Sequence, residues 1–234
     1  MSDFMAMLQT RLLRVALIFG ITFGPIVVIG IVVIIGRGVG LLPKPHQVTV
    51  DELLPQLKNS YQARAAMKQL VFFKPDAAHQ DEVAQALVKL LDDPDAGVRE
   101  DAARTLAIWG RPEDAPAVAK LLQAPEAHLH RAAMPTLGKL KGPEAADALV
   151  NQFRIPLDRF DASRIIMNDF GSDAEPALLK YLDDPDSNVR AECLGVLKVV
   201  GTRQSIPALT KASQGSNQFE AWAAQDALRA VQAR

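Results

Sequence analysis

The stretch KLLDDPDAGVRED, residues 89–101, returns 91 residues later as KYLDDPDSNVRAE, residues 180–192. Two copies of an L-D-D-P-D-x-x-V-R core in one chain point to a repeated structural unit, so a period is sought before any motif. Pro94, Pro125, Pro156 and Pro185 follow one another at 31, 31 and 29 residues. Each is followed 15 to 17 residues later by a glycine: Gly110, Gly142, Gly171 and Gly201. The two stretches are therefore the first and fourth members of a series with a period of about 30 residues, in which the middle members have drifted.

One period reads as two helices. Asp95 or Asp186 stands where an N-cap belongs. Val98, Ala102 and Leu106 then recur at the i, i+4, i+8 spacing of an amphipathic helix, as do Leu129, Ala133, Leu137 and Val189, Cys193, Leu197. Gly110 or Gly201 is expected to supply a left-handed C-terminal turn. Second helices follow in PEDAPAVAKLLQ, GPEAADALVNQF, SDAEPALLKYL and TRQSIPALTKAS. SYQARAAMKQLVFF with QDEVAQALVKLL reads as an earlier pair, VDELLPQLKN as a half-repeat before it, and SNQFEAWAAQDALRAV as a closing first helix. No stretch alternates apolar and polar residues long enough for a sheet. The fold class is all-α, an α-solenoid of about five helix pairs over residues 48–234.

The pattern L-D-D-P-D-x-x-V-R-x-x-A-x-x-x-L, then glycine, then a helix containing P-A-L resembles the HEAT repeat. It is closest to the short form found in phycobilisome-lyase-type HEAT-like proteins. The resemblance is most specific at Leu91–Arg99 and Leu182–Arg190 and weakest around Pro156. It implies that Asp93 with Arg99, and Asp184 with Arg190, cap helices and bridge neighbouring units rather than perform chemistry. For function it is permissive, since one fold hosts many roles.

The remaining sequence is of another kind. VALIFGITFGPIVVIGIVVIIG, residues 15–36, runs for 22 residues without a charge, which as a helix spans about 33 Å, enough to cross a hydrocarbon core. It is too long for a signal h-region and lacks a small-residue cleavage site. The expectation is a short tail over 1–14, a single-pass transmembrane anchor over 15–36 in the lipid bilayer, a Gly/Pro linker over 37–47, and the repeat domain beyond. Arg11 and Arg14 balance Arg37 and Lys44 across the span; the basic tail ahead of the apolar run leans the repeat domain to the outside of the cytoplasm. Gly20 and Gly24 form a G-x-x-x-G pair, the candidate packing motif for a transmembrane homodimer.

Chemistry-bearing constellations are scarce. The single cysteine, Cys193, leaves no internal disulfide and fills a small core slot. No His-Glu dipeptide of the kind a HEAT-repeat di-iron hydroxylase needs occurs. His46, His79, His128 and His130 are expected on the solvated surface. No G-x-S-x-G elbow is present. With 26 Lys+Arg against 27 Asp+Glu, net charge −1, the chain has no electrostatic footprint for nucleic acid. No catalytic residue, metal or cofactor is assigned.

What stands apart is FRIPLDRFDASRIIMNDFG, where Arg154, Arg159 and Arg164 interleave with Phe153, Phe160 and Phe170. Its apolar stripe is expected at Phe160, Ser163, Met167 and Phe170. Arginine and aromatic residues are enriched at binding hot spots, so Arg154, Arg159, Phe160 and Arg164 are candidate partner-binding residues. Trp222, on the closing helix with Phe219 and Leu228, joins them. Stacked helix pairs are expected to form an extended curved binding surface with the second helices on its concave side, where Gln85, Lys89, Lys120, Asn151, Lys180 and Lys211 are the candidate exposed polar positions. The function expected is a membrane-anchored scaffold or adaptor that binds other, membrane-associated proteins without catalysis. The alternative implied by the short repeat form is a bilin-lyase-like enzyme or chaperone acting on a tetrapyrrole or its acceptor protein.

Overall fold

The computed structural model describes residues 48–234, and Thr49–Arg234 forms one compact unit. Every regular element among the described residues is helical. Helix α1 (Val50–Leu53) runs into a 3-10 turn (Leu54–Lys58). Five pairs follow: α2 (Ser60–Leu70) with α3 (Gln80–Leu90), α4 (Ala96–Trp109) with α5 (Ala115–Ala119), and α6 (Ala127–Leu140) with α7 (Gly142–Asn151). Then come α8 (Pro156–Ile165) with α9 (Glu175–Lys180), and α10 (Ser187–Val200) with α11 (Ile206–Ser213). Helix α12 (Gln218–Gln232) closes the unit without a second helix of its own.

First helices start where side chains satisfy orphan amides. Asp95 accepts from the Gly97 amide at 2.7 Å, Asp186 from the Asn188 amide at 2.8 Å and Asn217 from the Phe219 amide at 3.1 Å. The first helices α4, α6 and α10 then bury the stripe their spacing foretold. Val98, Ala102, Leu106, Leu129, Ala133, Leu137, Val189, Cys193 and Leu197 all lie in the core. Truncating one of these leucines to alanine costs about 2–5 kcal/mol through lost transfer energy and the cavity left behind. Trp109 is fully buried, and its indole N–H donates to the Leu70 carbonyl at 3.0 Å, tying the first pair to the second.

Three expectations are corrected. Gly110 and Gly201 are not left-handed: both have extended backbone, φ −73° and −60°. Glycine is needed there for space, because a Cβ on Gly110 would lie 2.6 Å from the Leu106 carbonyl oxygen and 2.7 Å from Leu140 Cδ2. The positive φ angles fall instead at Lys141 (62°), Gly142 (85°) and Gly171 (58°).

The stripe of α8 is also shifted. Phe160 is 75% exposed, and the i, i+4, i+8 positions that face inward are Asp158, Ala162 and Ile166. Pro94 and Pro185 stand one residue before their N-caps, whereas Pro156 is itself the first helical residue after the N-cap Ile155. The helical register therefore does not follow the proline. The helix ends in a π-helical turn, Ile166–Phe170.

The single-pass membrane localisation does not stand. No helix among the described residues is long and apolar enough to cross a membrane. The longest, α12, has 15 residues, about 22 Å against the roughly 30 Å of a hydrocarbon core, and it is amphipathic. The span expected at 15–36, with Gly20 and Gly24, lies outside the described residues.

Candidate functional site

The repeated stretches build the same joint twice. Arg99 Nη1 donates to the Asp93 and Pro94 carbonyls at 2.9 and 3.1 Å, and Nη2 pairs with Glu126 of the next pair at 3.0 Å. Arg190 Nη1 donates to the Asp184 and Pro185 carbonyls at 2.6 and 3.1 Å, while Nε and Nη2 hold both oxygens of Glu220 on α12 at 2.9 and 2.6 Å. Asp93 and Asp184 each accept from the amide two residues on, both at 2.9 Å. Asp93 also accepts from the Ser60 hydroxyl at 2.6 Å, and Asp184 takes Arg154 Nη2 at 2.9 Å. Beside Arg154, and with the Asp186 amide donating to it, Asp184 is held below the usual carboxylate range even though burial pushes it up.

Counting four residues from each N-cap gives a series: Arg99, His130, Arg159, Arg190. Each side chain clamps a carbonyl six residues back. His130 Nε2 lies 2.7 Å from the Ala124 carbonyl, and Arg159 Nε donates to that of Phe153 at 2.6 Å. Three of the four then meet a carboxylate of the following unit: Glu126 for Arg99, Asp158 for His130 at 2.7 Å, Glu220 for Arg190. His130 is thus not a solvated surface histidine but a stand-in for the arginine. Arg159 is the exception, as its terminal nitrogens meet no carboxylate among the described residues. At the position that holds Asp158 and Glu220 in their units, the unit after Arg159 has the buried Val189.

The candidate residues near Pro156 do not form one patch. Arg154 bridges to Asp184 and to Asn151 (2.9 Å), and Arg164 pairs with Asp161 on its own helix at 3.0 Å. Phe153 and Phe170 are buried. Phe160 faces solvent, as do Phe219 (67% exposed) and Trp222 (59%) on α12. The inward side of α12 is instead Ala224, Ala227 and Val231.

Between α8 and α12 the surface of α10 is low. Ala191 and Gly195 floor a groove of about 460 Å³ that brings Arg159 together with Phe219 and Trp222 and also includes Lys198 and Asp226, themselves paired at 2.7 Å. Helix α10 runs in close contact with α12 but stands off from α8, reaching it through the Ser163–Glu192 hydrogen bond of 2.5 Å. The face of the second helices differs in kind. Gln85, Lys89, Lys120, Asn151, Lys180 and Lys211 are all exposed there, but Lys180 pairs with Asp147 at 2.7 Å and Lys211 with Asp183 at 3.0 Å.

Among the described residues no group of His, Cys, Asp and Glu side chains could hold a metal ion. Cys193 is fully buried, and burial pushes its thiol well above the ordinary range. Two residues of structural weight escaped sequence reasoning. His130 was legible, lying 31 residues after Arg99 and, like Arg99 and Arg190, five residues after the proline of its unit. Glu175 carried no such signal: buried on α9, it accepts from the Thr202 amide and hydroxyl at 2.9 and 2.7 Å and from the Ser205 hydroxyl.

A stack of helix pairs joined at one-period spacing defines the class, a helical-repeat protein. The HEAT-repeat family model matches residues 50–134 and 84–168, together just over half of the sequence. The chain belongs to the HEAT-repeat family. The search of curated protein sequences gave no match. Similar solved structures include an engineered protein (22% identity, 78% of this chain and 97% of that chain, TM-score 0.48) and a designed armadillo repeat protein in complex with the peptide (KR)4 (18%, 79% and 100%, 0.47). A third is the CpcE–CpcF complex of phycocyanin lyase from Nostoc sp. PCC7120 (21%, 80% and 89%, 0.34). No function is carried over from them.

Proposed function

We propose that this chain is a protein-binding scaffold that performs no reaction, and that its contact surface is the face formed by α8, α10 and α12. The observation that carries the reading is the pair of exposed aromatics on α12, Phe219 and Trp222, set across a low floor from Arg159. Large exposed aromatics grouped around a groove mark contact sites more often than scattered surface apolar residues do. On the second-helix face, by contrast, Lys180 and Lys211 are already neutralised by neighbouring aspartates, and exposed ion pairs add little to association.

A photocrosslinking residue placed at Phe219 should give discrete protein adducts in native extracts, while the same residue at Lys120 should give few. Equal labelling from both positions would overturn the choice of face, and absence of discrete adducts from either would overturn the scaffold role. The bilin-lyase-like alternative rests on the short form of the repeat alone. A change in visible absorbance on mixing the chain with a free bilin is its test.

A further inference from the structure

The joint series sets one residue of the groove apart. Arg99, His130 and Arg190 each use one part of the side chain on a carbonyl and another on a carboxylate from the next unit. Arg159 makes the carbonyl contact through Nε, leaving the fork of its guanidinium without a carboxylate among the described residues. The N-cap acid of the following unit, Asp186, accepts on one oxygen from the amide and side chain of Asn188 at 2.8 and 3.0 Å. Of the other charges at the groove, Lys198 is paired with Asp226, and Glu192 accepts from the neutral Ser163 hydroxyl and keeps its charge. Among the described residues Arg159 is therefore the one cation of the groove whose terminal nitrogens meet no carboxylate.

Gly195 is the second, independent sign. It sits in the middle of α10, where glycine costs a helix about 1 kcal/mol relative to alanine. Close packing does not require it, since a Cβ built there meets nothing within 4 Å. By comparison, Gly138 on α6 is required, because its Cβ would lie 2.7 Å from Ile165 Cγ2. Glycine at 195 keeps the floor low beside Trp222 and nothing else in the unit fills that space.

Resting on the scaffold reading above, we infer that the groove docks a linear segment of a partner protein carrying an Asp or Glu next to an aromatic or branched aliphatic residue. The carboxylate completes the Arg159 joint in place of the missing acid of the next unit, as a bidentate charge-assisted pair. The apolar side chain lies on Ala191 and Gly195 against Trp222 and Phe219.

The probe is a phage-displayed library of random linear peptides, panned on the full chain, with enriched peptides then measured by fluorescence anisotropy. The enriched peptides should hold the acidic–apolar pair. Changing their acid to its amide should weaken binding about ten- to hundredfold on the wild type and no further on Arg159→Gln. Gly195→Leu leaves every bond of Arg159 in place and should abolish binding by occupying the floor. Peptides without an acid that are nonetheless lost on Gly195→Leu would overturn the carboxylate inference while leaving the docking face standing. Peptides indifferent to both Gly195→Leu and Trp222→Ala would overturn the inference and the face together. Failure to enrich any peptide, or a loss on Arg159→Gln matched by a fall in melting temperature with no effect of Gly195→Leu, would also overturn the inference.

Discussion

At the scale of single residues, Glu175 shows how a buried carboxylate is kept ionised. Burial pushes its carboxyl up, but the hydroxyls of Ser205 and Thr202 and their amides more than offset this and hold it below the ordinary carboxylate value. A depressed folded value means its stabilisation is complete above the unfolded carboxylate pKa and is lost as pH falls through the folded one. Glu175→Gln should therefore lower stability by about 1–3 kcal/mol at neutral pH, and the gap to wild type should close in acid. Urea unfolding at stepped pH reads both. His130 makes a matching case at the other end of the series. Its replacement by alanine leaves Asp158, 7% exposed, and the Ala124 carbonyl unpartnered, at a cost of about 1–3 kcal/mol. His130→Arg, which restores the residue type of the flanking units, should retain most of that stability in the same urea titration.

At the scale of elements, the two helix-interior glycines should respond oppositely to the same change. Gly195→Ala meets open space and should raise stability by about 0.5–1 kcal/mol. Gly138→Ala drives a methyl against Ile165 and Asp169 and should lower it by about 1–3 kcal/mol. Differential scanning calorimetry of the two variants separates them by sign. Element register was where sequence reading went furthest astray. The stripes of α4, α6 and α10 were legible because aspartate or glutamate N-caps and preceding prolines mark the same helical position in each. In α8 the proline moved two positions and the N-cap became Ile155. A stripe counted from Pro156 therefore put Phe160 inside, although the helix turns it to solvent. Helix α12 was legible only in part: its place after α11 followed from the period, but with Ala224 and Ala227 inward the burial is carried by small residues, and the larger Phe219 and Trp222 are left outside.

At the scale of the whole unit, the pairing of helices and their period were readable from one duplicated stretch, because the same joint needs the same residues wherever it recurs. The groove was not readable. It depends on what is missing at three separate places: a carboxylate opposite Arg159, a side chain at Gly195, and close contact between α8 and α10. The joints also make a quantitative expectation. Removing residues 95–185 joins Pro94 to Asp186 and recreates the L-D-D-P-D-x-x-V-R stretch at the seam. Arg64, now paired with Asp101 at 2.9 Å, would face Glu192 at the corresponding place. The shortened chain should keep a helical circular-dichroism spectrum and unfold cooperatively with a smaller denaturant slope; aggregation instead would show that the joints are not interchangeable.

The duplicated stretch also bears on inheritance. Where two points of a gene encode the same L-D-D-P-D-x-x-V-R core, a misaligned exchange at that core stays in frame. It removes or adds three whole units, and the Asp–Arg clamp at the new boundary is intact from the first generation. The number of units is then a trait that lineages can vary without first inventing a new fit between neighbours.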